Sequence, residues 1–286
     1  MNILLDFRGR PSTAAFMARA LWPGPRPQAS QGLRMRWQRH HVEPRHLRAF
    51  TELTGLSAAG GLPLVYLHVL AFPLTMALLT HPRFPFPIWR VLQIRNRLEL
   101  HRPLPVTSAL DLDLELCGRR ELQKGVELDL HTCIRESGSV AWESVNTFYT
   151  RRRAGAPAIG GDAGPAAPEA PSERVACWEL PARQGLRFAS LTGDYNGIHW
   201  WPAYARRLGF GRALHHPSLV LGQSLARLPG HVPWASGRVE AWLRGPVYDG
   251  ATVELCAQAR GDSTTFAVVP AGEPRAAVVG RTERAA

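Results

Sequence analysis

The stretch Phe188-Ala-Ser-Leu191-Thr192-Gly193 has a second copy in this chain. Its counterpart is Phe50-Thr-Glu-Leu53-Thr54-Gly55, an offset of 138 residues (188 against 50). Further on, Leu243-Arg-Gly-Pro246-Val247 matches Leu100-His-Arg-Pro103-Leu104 at an offset of 143 (246 against 103). Both second matches precede similar alternating runs, Ala251-Thr-Val-Glu-Leu255 and Ser108-Ala-Leu-Asp-Leu112. Two matches in the same order at nearly one offset point to an internal duplication. The period is far too long for a solenoid repeat and indicates two copies of one domain.

Beyond the shared Leu-Thr-Gly the copies part company. The second continues Asp194-Tyr-Asn196-Gly-Ile-His199, which puts a carboxylate, an amide and an imidazole on one short loop. Gly193 and Gly197 let that backbone turn sharply. Counting along the first copy without gaps gives Leu56, Ala58 and Gly61 at the same places. An Asp and a His on a tight loop suit acid/base work on a bound water. The bland alternative is a surface turn closed by an Asx hydrogen bond. A structural turn gives no reason for the asymmetry, whereas an active half fused to a silent half does.

Composition fits two domains. The chain has 286 residues, 45% of them hydrophobic, and domains commonly run to roughly 100–150 residues. We expect an N-terminal extension of uncertain order over 1–33 and a first domain over 34–153. A Gly/Ala/Pro-rich linker over 154–173 then leads into a second domain over 174–286. Cys117, Cys133, Cys177 and Cys256 are widely spaced, with no Cys-x-x-Cys, so they read as reduced, mostly buried thiols. The first residues form no secretory signal, because Asp6, Arg8 and Arg10 interrupt them. The most membrane-like run, 62–79, is broken by Pro63, His68 and Pro73 and reads as a buried helix and its approach. The expectation is a cytoplasmic protein with no membrane partner.

The net charge is +11, carried almost wholly by arginine, since Lys124 is the one lysine. The arginines are scattered and no nucleic-acid-binding motif appears, so no nucleic-acid partner is expected. The run Arg151-Arg152-Arg153 reads as a solvated strand end, with attraction of a phosphate-bearing ligand or an acidic carrier protein as the functional alternative.

The coarse pattern is α+β, used twice. The first half suggests helices at 45–53 and 72–79, then strands at 90–101, 109–116, 121–135 and 139–151. The second suggests a short helix at 202–208, a main helix at 217–228, then strands at 238–244, 251–260, 264–270 and 276–282. Around Ala71-Phe-Pro-Leu-Thr-Met-Ala-Leu-Leu the main helix is apolar on nearly all sides, as a helix wrapped by a sheet would need.

With these residues in view, Gly193-Asp194-Tyr195-Asn196-Gly-Ile198-His199, then Tyr204-Ala205, Gly209-Phe210 and His216, resembles the hydratase motif of MaoC-like (R)-specific enoyl-thioester hydratases and dehydratases. Trp242-Leu-Arg-Gly-Pro246-Val-Tyr-Asp-Gly250 looks like the strand and turn that follow it there. The run from Leu62 to Leu74 looks like the first domain of two-domain bacterial acyl dehydratases. The resemblance covers most of residues 45–282. It implies a double hot dog fold: two antiparallel sheets, each wrapped around a central helix and packed as an intrachain pseudo-dimer.

The resemblance also implies roles. Asp194 and His199 would activate one water, with Asn196 orienting the loop or the water. That water would add to C3 of a trans-2-enoyl thioester, or leave an (R)-3-hydroxyacyl thioester in the reverse reaction. The helix starting near 217 would aim N–H groups at the thioester oxygen. Gly193, Tyr195, Trp201, Phe210, Pro217 and Ser218 would contact substrate; His216 reads as a cap or packing group at the helix start, with a polar contact to substrate as the alternative. No cofactor and no metal are implied. The partner would be an acyl-CoA or acyl-carrier-protein thioester, and a homodimer is compatible with the pattern.

Three departures stand out. Gly197 replaces the family's proline, which would leave the loop looser. Trp201 stands where an acidic or amide residue is common and would narrow the entrance. Pro217 replaces a glycine whose N–H is the expected oxyanion donor, and proline has none. The N–H or the hydroxyl of Ser218 is the available substitute. Leu67, Leu70 and Phe72 of the silent half would line an acyl tunnel or serve as ordinary core, and His68 reads as structural. Two other readings stay open: a non-catalytic acyl-thioester-binding protein and a hot dog thioesterase.

Overall fold

The apolar run of the first half becomes the helix α3, Leu64–Leu79, and every one of its side chains is buried. With no polar face, such a helix is stable only where other elements enclose it. In this computed structural model, which describes residues 3–20, 32–152, 161–230 and 236–284, a sheet does so. The helix begins eight residues before the expected 72. Pro63 takes the extended N-cap conformation ahead of it, and Pro73 lies inside the helix. An all-round apolar segment has no periodicity from which to read its boundary. Trp142 ties the helix start to the sheet, its indole N–H donating to the Leu64 carbonyl at 3.1 Å.

The first half contributes strands β2 (Leu33–His41), β3 (Val91–Leu100), β4 (Ala109–Glu121), β5 (Gly125–Glu136) and β6 (Ser139–Arg151). The second contributes β7 (Arg174–Glu179), β8 (Gly237–Leu243), β9 (Thr252–Arg260), β10 (Ser263–Pro270) and β11 (Val278–Arg284). The strand order is β2-β4-β5-β6-β3 in one half and β8-β11-β10-β9-β7 in the other. Each half is the other's mirror in order, as a pseudo-two-fold requires. The two sheets join edge to edge, because β3 and β8 pair antiparallel with Leu98 opposite Val239. The double hot dog is therefore one continuous curved sheet, closing an edge that each half alone would leave open.

The second half's main helix is α6, Pro217–Leu225, three residues shorter at its end than expected. The short helices α2 (Pro44–Thr54), α4 (Gly185–Thr192) and α5 (Pro202–Arg207) complete the two halves. Residues 3–20, expected only as an extension of uncertain order, form β1 (Ile3–Phe7) and α1 (Thr13–Ala20). β1 adds to the sheet parallel to β2. Arg10 donates to the carbonyls of Ser190 and Leu191, both at 3.2 Å, so this arm is fastened to the end of α4.

Much of the expected linker, 154–160, and Arg153 of the arginine run lie outside the described residues. The neighbouring Arg152 bonds to Glu121, an ion pair that places it on the strand rather than free for an acidic partner. All four cysteines are free. Cys133 and Cys256 are buried as expected, but Cys117 and Cys177 are exposed, Cys177 on the outermost strand of its half. Among the described residues no helix is long and apolar enough to cross a membrane.

Candidate functional site

The site is built on the end of α4. Gly193 closes that helix in the left-handed conformation (φ 75°), its N–H donating to the Ala189 carbonyl at 2.7 Å. Glycine accepts this conformation without a Cβ penalty. A Cβ here would also lie 2.3 Å from Cγ2 of Thr13 in the N-terminal arm. The Thr192 hydroxyl donates back to the Phe188 carbonyl at 3.2 Å and accepts from the Asp194 N–H at 3.0 Å. Asp194 Oδ1 then accepts from the Asn196 N–H at 3.0 Å, and Asn196 Oδ1 from the Ile198 N–H at 3.3 Å. Two successive Asx turns thus carry the chain into the 3-10 turn Gly197–His199. At Gly197 a Cβ would lie 2.8 Å from the Tyr204 ring. Glycine lets that ring close onto the turn.

His199 reaches the same point from the far side of the turn. Its Nδ1 donates to the Leu214 carbonyl at 3.1 Å, which leaves the Nε2 lone pair facing inward. Nε2 lies 3.6 Å from Asp194 Oδ2. A third group joins them: Nε2 of His216, the N-cap of α6, is 3.5 Å from the same oxygen. His216 Nδ1 accepts from the Ser218 N–H at 3.2 Å, so its ring proton sits on Nε2. The three side chains are 11%, 8% and 4% exposed for Asp194, His199 and His216. The His216 ring packs on Phe188, on His199 and on Phe72 of the first half, with centroids at 4.9, 4.8 and 5.4 Å.

Burial alone would raise the Asp194 pKa, but the His199 and His216 contacts outweigh it and hold the carboxyl far below its ordinary range. Burial pushes the His216 imidazole down to about 4, so it is neutral near pH 7. The ligand atoms of Asp194, His199 and His216 all lie within 4.8 Å of one another, close enough for a metal ion. A cation there would need the Nε2 lone pair of His216, and the Ser218 N–H keeps a proton on that nitrogen. The donor set therefore fits a water better than a metal.

These groups form the polar end of a cavity of about 430 Å³ at the junction of the two halves. Phe72, Met76 and Leu79 of α3, Phe148 of β6 and Val220 of α6 are among the side chains of its apolar wall, to which both halves contribute. Of the expected residues, Asp194, Asn196, His199, Phe210, His216 and Pro217 line it. Gly193, Tyr195, Trp201 and Ser218 do not. Gly193 is the helix cap. Tyr195 is 40% exposed. Trp201 is 52% exposed and stacks outside the cavity with Trp200 and Tyr204, so it does not narrow the entrance. Ser218 is buried, and its N–H is engaged by His216, so it offers no main-chain donor. Phe72 lines the cavity, whereas Leu67 and Leu70 are core. His68 is wholly buried, with Nε2 unpartnered.

Sequence reasoning missed Gln93 and Arg244, which line the cavity from the start of β3 and just past the end of β8. It gave His215 no role of its own. That residue also lines the cavity, with Nδ1 held by Asp249 Oδ1 at 2.9 Å. The usable signal was the duplication itself, because a pseudo-two-fold that pairs β3 with β8 brings those ends together.

No protein-family model matches the chain. It is 30% identical over 217 residues to 3-hydroxyacyl-thioester dehydratase X of Mycobacterium tuberculosis, spanning 75% of this chain and 76% of that one. Among solved structures, HtdX of Mycobacterium tuberculosis superposes with a TM-score of 0.76 at 23% identity, over 88% of this chain and 100% of that one. A MaoC-like dehydratase from Phytophthora capsici superposes with a TM-score of 0.72 at 17% identity, over 88% of this chain and 95% of that one.

Proposed function

We propose, because this chain belongs to the MaoC-like family of 3-hydroxyacyl-thioester dehydratases, that it adds water reversibly to trans-2-enoyl thioesters to give (R)-3-hydroxyacyl thioesters. The observation that carries this reading is the pair formed by Asp194 Oδ2 and His199 Nε2. Two acceptors, 3.6 Å apart and buried, face one point at the polar end of an apolar cavity. A water between them donates one hydrogen to each. In hydration, one of the pair takes a proton as the water oxygen bonds to C3. The C2–C3 π electrons move onto the thioester as an enolate, and a proton returned by the pair closes C2. Dehydration runs the same steps backwards. Asp194, held ionised, starts as a base. His199, its Nδ1 proton fixed on Leu214, has Nε2 free to take and return a proton.

Asn196 Oδ1 is engaged by the Ile198 N–H, which leaves its amide N–H group for the water's remaining lone pair. The apolar wall receives the acyl chain, and Phe72, Met76 and Leu79 of that wall come from α3 of the half without the acid/base pair. CoA or a carrier protein would hold the thioester outside.

The test is loss of the conjugated enoyl-thioester absorbance of crotonyl-CoA and longer enoyl-CoAs on mixing with the protein. Wild type should turn over at least one chain length about 10²–10⁴ times faster than Asp194→Asn. If the two are equal at every chain length, the reading fails. A second reading, a non-catalytic acyl-thioester binder, is favoured by one observation: Pro217 has no N–H at the helix start. It requires saturable acyl-CoA binding with no absorbance change.

A further inference from the structure

The hydration proposed above puts negative charge on the thioester oxygen, and a buried site needs a hydrogen-bond donor there. The start of α6 is where a helix would ordinarily offer one. In this chain the N–H groups of that turn are accounted for. Pro217 has none. The Ser218 N–H goes to His216 Nδ1 at 3.2 Å. The Leu219 and Val220 N–H groups go to the His216 carbonyl at 2.9 and 3.1 Å. The helix caps itself onto His216 and presents no N–H from these four positions.

The side-chain donors on the cavity wall narrow in the same way. Gln93 Nε2 is held by Asn96 Oδ1 at 2.5 Å and by Asn146 Oδ1 at 3.4 Å. His199 Nδ1 is held by the Leu214 carbonyl, and His215 Nδ1 by Asp249. Arg244 stands at the exposed rim. Among the described side chains that line the cavity, two inner donors remain, the Asn196 amide and the His216 Nε2–H; the Ser218 hydroxyl is buried and unpartnered but lies off the cavity wall. The reaction has two acceptors for them, the water's spare lone pair and the thioester oxygen. Asn196 shares its turn with Asp194 and His199 and so sits with the water. His216 comes from the helix start, beside the position whose N–H is missing.

We infer that His216 is a catalytic residue whose Nε2–H binds the thioester oxygen, in place of the main-chain N–H that Pro217 cannot supply. This rests on the hydratase reading. The Nε2 contact to Asp194, at 3.5 Å, is longer than a formed hydrogen bond, so the proton is free to move to a better acceptor when substrate arrives. The Ser218 N–H holds the proton on Nε2, and burial keeps the ring neutral near pH 7. The self-capped helix start thus fixes which nitrogen of His216 is the donor.

The experiment compares wild type, His216→Asn, Pro217→Gly and the double variant on crotonyl-CoA or a longer enoyl-CoA, with kcat and KM resolved separately. Asparagine is a good N-cap, so His216→Asn keeps a partner for the Ser218 N–H while removing the Nε2 donor. Thermal unfolding of each variant checks that the fold is kept. We expect His216→Asn to lower kcat about 10²–10³-fold, with KM changed by less than a factor of about three. Pro217→Gly, which restores an N–H at the cavity wall, should recover at least a tenth of the lost rate in the double variant. A folded His216→Asn with wild-type kcat overturns the inference and leaves a main-chain donor, which that substitution retains. A loss of rate that Pro217→Gly does not recover also overturns it and leaves His216 as a group that only positions Asp194. If wild type turns over no enoyl thioester, the hydratase reading fails and takes this inference with it. An active wild type with an unaffected His216→Asn sinks this inference alone.

Discussion

The loops after α2 and α4 are the same backbone with different chemistry. Gly55 and Gly193 both end their helices left-handed, at φ 79° and 75°. Thr54 and Thr192 both bond back four residues and accept the N–H of the residue two ahead. That residue is Leu56 in one half and Asp194 in the other. The Leu62 N–H donates to the Leu104 carbonyl at 2.8 Å, as the His215 N–H does to Val247 at 2.7 Å. The next residue, the helix N-cap, is Pro63 in one half and His216 in the other. Between these fixed points the first copy passes through residues 57–61 and the second through 195–214, which carries His199 and α5. The lesson is that the hydrogen-bonded frame and the chemistry separate cleanly. The first half keeps the frame and has apolar Leu56 and Pro63 where the second has Asp194 and His216. Its α3 then lines the cavity onto which Asp194, His199 and His216 of the second half face.

The sharpest way to break this contrast is to make the second loop resemble the first. Asp194→Leu, the residue of the silent copy, should abolish enoyl-CoA hydration by about 10²–10⁴-fold. It removes the acceptor of the Asn196 N–H but should leave the fold standing, because the frame bonds of Thr192 and Gly193 use no Asp194 side chain. Leu56→Asp should cost stability, because it buries a carboxylate with no histidine to face it. It should add no activity. A hydratase rate in Asp194→Leu near that of wild type would show that the asymmetry does not carry the chemistry.

The particular residues show why some of this was legible and some was not. The duplication, the four strands after each main helix and the Asp194–His199 spacing can be read along the sequence, whereas β2 and β7 were not read. α1 and β1 were missed because β1 is held by parallel pairing to a strand about 30 residues away, which leaves no local mark. The start of α3 was misplaced because a helix buried on every side has no polar stripe to bound it. Gln93 and Arg244 reach the cavity only because the pseudo-two-fold sets β3 against β8. The engaged Ser218 N–H depends on a cap whose acceptor is a side chain, and Trp201 points outward because it stacks on Tyr204. Neither follows from residue type.

A smaller effect sharpens the comparison of the two left-handed caps. Gly193→Ala and Gly55→Ala should each lose about 1–2 kcal/mol to the left-handed conformation. Only the first also meets an obstacle. A Cβ at Gly55 finds its nearest neighbour, Ala226 Cβ, at 3.5 Å, whereas one at Gly193 falls on Thr13. Gly193→Ala should therefore lose about 1–3 kcal/mol more, as overpacked sites do. Urea unfolding of both variants measures the gap, and Thr13→Ala should close part of it. Equal losses would mean that the N-terminal arm does not press on the Asp194 loop.

The smallest effect on activity is expected at His68, the histidine of the silent half. His216 Nε2 faces the Asp194 carboxylate at 3.5 Å, whereas His68 Nε2 is unpartnered. Burial, and next the neighbouring His216, push the His68 pKa from 6.5 down to about 3. The folded state therefore keeps this ring neutral at pH values where the unfolded chain protonates it. Below pH 6.5 the unfolded state binds the extra proton, so stability is lost as pH falls from about 6.5 toward 3 and is fully present above that window. His68→Leu removes the group from both states. It should flatten the acid limb of the stability curve over that window while changing kcat/KM by less than about threefold, since His68 does not line the cavity. Urea midpoints at pH 7 and pH 4.5 for wild type and variant give the comparison. Parallel shifts would show that other buried groups, His40 and His216 among them, set the acid sensitivity, since burial pushes both down to about 4.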